Sequence, residues 1–169
     1  CGAHGEVLVR GPNVMSGYLD DALATAHVMR GGWLHTGDIG FVDEDGRLSI
    51  ADRSKDLILR GGASIYPSEV ESVLTHHPSV REAAVVGKAD DYYGEEVVAL
   101  IVLREPIGPE AIERWVRERL APYKVPRFYA FVESLPRSGS GKILKRKLRE
   151  RVASGELPIE ALASNRPTD

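Results

Sequence analysis

Lys142 stands in the stretch "PRSGSGKILKRK", residues 136–147, where the small residues Ser138 to Gly141 precede it and a basic segment follows. Small side chains let a ligand approach the backbone, and a lysine ammonium offers an anion a mobile point charge. The stretch is not a Walker-type phosphate loop. That pattern requires glycine where Pro136 stands and Ser or Thr where Ile143 stands. Taken alone, "KILKRKLRER" also suits a solvated helix face or a weak RNA contact. A second candidate is Asp38, in "GWLHTGD". In a glycine turn its carboxylate accepts backbone N–H groups; facing a ligand, it offers two oxygens to a vicinal diol such as that of ribose. The third stretch is "ADRSKDLILRGGASIYPSEVE", with Arg53, Lys55 and the pair Gly61-Gly62. Each alone reads as a strand-end charge or an ordinary turn, although adjacent glycines also let a ligand pass close to the chain.

These residues need elements to hold them. Residues 5–10, "GEVLVR", alternate as a half-buried strand does and end at Gly11-Pro12. Residues 20–30 read as a helix with Asp at its start and Arg at its end, suited to the helix dipole. "GGWLHTGD" is expected as a loop, followed by two strands joined through Asp45-Gly46, a hairpin signal. From "KDLILRGG" the texture changes to alternating helices and strands, which places a boundary near residue 52. The helix "PSEVESVLTHH" starts at Pro67 and repeats apolar residues at Val70, Val73 and Leu74. "EAAVVG" and "EVVALIVL" are apolar throughout, as strands covered on both faces are. A second amphipathic helix carries Ile112, Trp115, Val116 and Leu120 and stops before Pro122; "FYAFV" follows as a strand. The last helix is expected to start near Lys142, and the terminal "ASNRPTD" to be loose.

Bulk properties narrow the function. The 169 residues are 43% hydrophobic and 28% charged, an ordinary globular composition, and the net charge of −3 supplies no general attraction for nucleic acid or acidic membrane. The single cysteine, Cys1, cannot form an internal disulfide, and the five histidines show neither metal-ligand spacing nor a nucleophile to activate, so no metal site is expected. No apolar run approaches the roughly 20 residues of a membrane span. A cytoplasmic location is the default expectation. A chain opening on Cys1 is expected to be processed or part of something longer.

In order, "GEVLVRGPNVMSGYL", "GWLHTGD", "DRSKDLILRGGASIYPSEVE" and "PRSGSGK" resemble four successive motifs of the acyl-adenylate-forming (AMP-binding) superfamily. The likeness covers nearly all of residues 5–150, and the form "GGxxIYPSEVE" most resembles the acyl-CoA synthetases. The resemblance implies an α+β fold. Residues 1–52 would be the β-rich end of a large N-terminal adenylation domain, and residues 53–169 a small mobile C-terminal domain with a central sheet flanked by helices. It implies a carboxylic acid–CoA ligase using ATP, Mg²⁺ and coenzyme A. In such a ligase Lys142 meets the carboxylate and α-phosphate, Asp38 and Arg53 the ribose, Lys55 is the hinge, and Gly61 and Gly62 line the CoA path. Ser64 replaces an arginine that some relatives carry, so no phosphate contact is expected there. Neither a phosphate-binding loop nor an acyl pocket is visible, so the chain alone is expected to be inactive. The competing readings are a noncatalytic binding or regulatory module of the same fold and, more weakly, an RNA-binding domain. Net negative charge and the lack of aromatic residues near Lys142 oppose the latter.

Overall fold

The computed structural model describes residues 2–162; Cys1 and the terminal segment 163–169, which is the whole of "ASNRPTD", lie outside the described residues. The chain divides into two units, Cys1–Lys55 and a second that begins at Asp56.

The first unit is a four-stranded antiparallel sheet with one short helix: β1 (Gly5–Val9), α1 (Ala22–Val28), β2 (Met29–Arg30), β3 (Trp33–Val42) and β4 (Leu48–Arg53). Asp21 caps α1 by accepting the Ala24 N–H at 2.8 Å. The β3–β4 hairpin turns through Asp43–Arg47, where Asp43 accepts two amides and Gly46 has φ +78°. One expectation is corrected here. "GWLHTGD" is not a loop but most of β3, and the turn before it is Gly31-Gly32, both at positive φ. Glycine at position 37 suggested a loop because it interrupts the strand pattern. In the structure it is a bulge with φ +71°, where β3 spends two more residues than β1 between the pairs Glu6↔Ile39 and Leu8↔His35. None of the buried apolar side chains of the core belongs to this unit, whereas Leu19, Leu23, Leu48 and Ile50 are exposed.

The second unit builds a two-sided core. Its strands are β5 (Ile58–Arg60), β6 (Ala63–Ile65), β7 (Val80–Asp90), β8 (Gly94–Leu103), β9 (Phe128–Phe131) and β10 (Glu160–Ala161); its helices are α2 (Pro67–Thr75), α3 (Pro109–Arg117) and α4 (Lys145–Ala153). Strand β8 is central, antiparallel to β5 and β7 and parallel to β9, the parallel step being made through α3. Alternate side chains of a strand point to opposite faces. Accordingly, Val97, Ala99 and Ile101 join α2 and α3 in one apolar cluster, while Val98, Leu100 and Val102 join α4 in another. This two-sided burial is why "EVVALIVL" has no polar alternation. On β7, Val80 shares a face with Ala83 and Val85 because a bulge between Val80 and Glu82 shifts the alternation by one residue.

Two glutamates of "YPSEVE" tie α2 down. Glu69 accepts Lys124 Nζ at 2.7 Å on each oxygen. Burial works against the Lys124 charge, but the Glu69 carboxylate outweighs it and raises the lysine above its ordinary value. Glu71 accepts the Val85 amide of β7 at 2.7 Å and pairs with Lys145 of α4 at 2.7 Å. Tyr129 is fully buried among apolar neighbours, and burial pushes its phenol up. Its hydroxyl has no hydrogen-bond partner among the described residues. An unmet buried polar group costs about 1–3 kcal/mol, so Tyr129→Phe is expected to raise stability by about 1 kcal/mol. A lower denaturation midpoint for the variant would contradict this account of the hydroxyl.

Candidate functional site

Asp38 and Arg53 face each other across β3 and β4 as a register pair. Arg53 Nε lies 3.0 Å from Asp38 Oδ1, with both side chains partly open to solvent. Asp38 does not close a glycine turn as expected. Its own amide donates to Thr36 Oγ1 at 3.0 Å, and that hydroxyl donates to Val7 O at 2.8 Å. The carboxylate is therefore oriented by a guanidinium at Oδ1. An oriented carboxylate, with its two acceptor oxygens, suits a diol.

Arg53 and Lys55 line a cleft of about 430 Å³ together with Glu6, His27, Arg30 and His35. The sequence reading missed the last four, because nothing in their spacing links residues 6, 27, 30 and 35. Only the pairing of β1 and β2 onto β3 brings them together. Glu6 takes His35 Nδ1 at 2.8 Å and the Gly37 amide at 3.2 Å. Arg30 also approaches Nδ1, at 3.0 Å; one ring nitrogen cannot donate to Glu6 and accept from Arg30 at once. The His35 hydrogen bond, opposed by burial and aided by the Gly37 amide and the His35 and Arg30 charges, holds the Glu6 carboxyl below 4.5. A carboxylate depressed on folding contributes stability that is present above its unfolded pKa and is lost as pH falls through the folded value. The Glu6 carboxyl carbon, followed by NMR, is expected to titrate below pH 4.5; a midpoint at or above that value would remove the His35 contact as its cause.

In the second unit, Gly61 and Gly62 do not directly precede a helix but form the two-residue turn between β5 and β6. Their φ values are +56° and +83°. A two-residue hairpin of this kind demands positive φ at both positions, which accounts for both glycines. Beyond Gly62 no atom lies within 4 Å of where a Cβ would stand, so the turn presents open backbone.

Lys142 closes a small hairpin of its own. Ser138 N–H donates to Lys142 O at 2.8 Å, Gly141 N–H donates to Ser138 O at 2.9 Å, and Leu144 N–H donates to Pro136 O at 2.8 Å. Gly141 has φ +83°, as the residue after such a turn requires. Arg137 clamps the loop, donating to Gly141 O and to Glu82 Oε2 of β7, each at 2.6 Å. Helix α4 starts at Lys145 rather than near Lys142, because Ile143 pairs with Arg137 as an isolated bridge. Lys142 itself is exposed and has no ion-pair partner among the described residues.

Its neighbours differ. Of the seven basic side chains from Arg137 to Arg151, five hold carboxylates: Arg137 with Glu82, Lys145 with Glu71, Arg146 with Glu150, Arg149 with Asp56 and Arg151 with Glu156. The segment therefore offers no row of free cations to a phosphate backbone, which removes the support for an RNA contact. Among the described residues there is no group of three or more His, Cys, Asp or Glu able to hold a metal, and no helix long and apolar enough to cross a membrane.

Known proteins resemble this chain in sequence and in fold. Residues 69–142 match the family described as AMP-binding enzyme C-terminal domain. The match lies wholly within the second unit. Over 150 residues the chain is 49% identical to 2-succinylbenzoate–CoA ligase of Bacillus mycoides (strain KBAB4), covering 89% of this chain and 31% of that protein. It is 49% identical over 149 residues to long-chain-fatty-acid–CoA ligase of Bacillus subtilis (strain 168), covering 87% of this chain and 27% of that one. Among solved structures, o-succinylbenzoate CoA synthetase of Bacillus subtilis, in complex with its acyl-adenylate intermediate, superposes with a TM-score of 0.83 at 43% identity, over 88% of this chain and 31% of the other. The chain thus spans less than a third of the length of these relatives, and the matched part is their C-terminal portion. The α+β fold with helices on both faces of the sheet, expected from the resemblance, is the fold observed.

Proposed function

We propose that this chain is the C-terminal part of an AMP-forming carboxylic acid–CoA ligase. In this reading residues 1–52 end the large adenylation domain and residues 53–169 form the mobile domain. Exposed Leu19, Leu23, Leu48 and Ile50 support it, since a unit with no buried apolar side chain among the described residues needs a cover from elsewhere.

The reaction has two halves. An acid's carboxylate oxygen attacks the α-phosphorus of ATP, the bond to the β-phosphate oxygen breaks, and pyrophosphate leaves with Mg²⁺ as its counter-ion. The thiol of coenzyme A, losing its proton, then attacks the acyl carbon and AMP departs with the bonding pair. Asp38, steadied by Arg53, takes the ribose hydroxyls. Lys142 meets the negative charge that builds on the α-phosphoryl oxygens, and it stabilises the transition state more than the ground state. Lys55, in the short 3₁₀ turn Ser54–Asp56, is the hinge that exchanges Lys142 for the Gly61–Gly62 turn between halves. Substrates of this kind place the enzyme in the cytoplasm.

The observation that carries this reading is Lys142 itself. It is an exposed ammonium without a carboxylate partner among the described residues, on a loop whose backbone is hydrogen-bonded on both sides, inside a chain 49% identical to acid–CoA ligases. The test is ATP–pyrophosphate exchange. Residues 1–169 alone are expected to show none, and a polypeptide that places a complete adenylation domain ahead of Asp38 is expected to show acid-dependent exchange. Exchange by the chain alone, or none by the longer polypeptide, would refute the proposal.

A further inference from the structure

The Gly61–Gly62 turn is fastened by a ring of contacts that begins and ends at its own base. Gly61 N–H donates to Tyr93 O at 2.8 Å. The Tyr92 and Tyr93 amides donate to Asp90 Oδ1 at 3.0 and 2.9 Å. Arg127 reaches Asp90 Oδ2 at 3.5 Å and donates to Glu96 Oε1 at 3.2 Å. Glu96 closes the ring by accepting Arg60 Nε at 2.7 Å and Nη2 at 3.2 Å. Arg60 is the residue before Gly61, and its guanidinium lies 4.2 Å from the centre of the Tyr93 ring. Glu95 adds a tie by accepting the Leu59 amide at 2.8 Å.

Arg60 and Glu96 are 8% and 0% exposed, the buried charged residues among those described. Taking charges out of water is expensive, and a well-packed apolar pair of the same volume often serves stability as well. What a guanidinium–carboxylate fork supplies beyond an apolar pair is direction, because two parallel N–H bonds fix the plane of both groups. Here that direction is given to the base of a two-residue turn whose own backbone is open to solvent. Packing alone cannot hold such a turn, since glycines bring no side chains to pack.

We propose that Arg60, Glu96 and Arg127 are positioning residues for the Gly61–Gly62 turn, acting in thioester formation and not in adenylation. The proposal rests on the reading that this turn lines the path of the coenzyme A arm. None of the contacts named above involves the Lys142 loop or its Arg137–Glu82 clamp, so separate supports are expected for the two half-reactions.

The test uses Arg60→Met, with Arg127→Met as a second variant at the more exposed end of the network should the first not fold, and Arg60→Lys as the conservative control. In the 169-residue chain, amide exchange is expected to quicken at Gly61, whose N–H is held by Tyr93 O, while α2 and α4 keep their protection. In the complete ligase, thioester formation from supplied acyl adenylate is expected to fall ~10–100-fold, the scale of a misplacement near 1 Å. ATP–pyrophosphate exchange should hold, and Arg60→Lys should recover part of the loss. Unchanged amide exchange at Gly61 overturns the positioning role by itself. Equal slowing of both half-reactions overturns it too. A loosened turn with a normal thioester rate refutes instead the assignment of the turn to coenzyme A.

Discussion

Replacing Lys142 by alanine in the complete ligase is expected to lower the rate of acyl-adenylate formation ~10²–10³-fold, the usual cost of removing one preorganised donor from developing charge. Thioester formation from supplied acyl adenylate should survive, because in the proposed hinge motion Lys142 is withdrawn from the site before that half-reaction. Stability should change by no more than about 0.5 kcal/mol, as for other exposed residues away from special contacts. The structure supports that expectation, since the loop around Lys142 is closed by backbone bonds and by Arg137, none of which involves the ammonium. Single-turnover measurements of each half-reaction separate the outcomes. An equal loss in both would mean that Lys142 holds the domain together rather than meeting the phosphate.

The second large effect is on folding. Leu100 is fully buried at the centre of β8, facing Leu135, Leu148 and Val152. Leu100→Ala removes most of a core side chain and leaves a cavity between the sheet and α4, at a cost of about 2–5 kcal/mol. Domains of this kind are stable by only about 5–15 kcal/mol in total, so the variant should lose a large share of its denaturant resistance. A shift of no more than about 0.5 kcal/mol, the range of surface changes, would mean that α4 does not close this face of the sheet. Helix α4 begins three residues after Lys142, so loosening it should also blunt adenylation at elevated temperature.

Much of the second unit was legible because its signals are local and redundant. Valine-rich runs without polar alternation belong to strands covered on both faces, and β7 and β8 are covered so. Pro67 marks a helix start, and the structure has it at the first helical position of α2. The first unit was harder to read. Gly37 lies inside a strand because a bulge with positive φ lets β3 continue, and a bulge is defined by the partner strand rather than by its own residues. The start of α4 was misplaced for a related reason: Ile143 has the apolar character of a helix face, but its backbone pairs with Arg137, six positions from the end of β9 and remote from any periodic signal.

Residue types alone determined the candidate chemistry: an ammonium behind small residues, a carboxylate able to hold a diol, paired glycines and two amphipathic helices. Whether each charge is free or spent was decided only in three dimensions. Lys145, three positions after Lys142, is neutralised by Glu71 from another helix, and Glu96 is buried because Arg60 and Arg127 reach it from separate strands and loops. The reason is that electrostatic partners are chosen by distance through space, which chain spacing does not record, whereas secondary structure is chosen largely by neighbours along the chain.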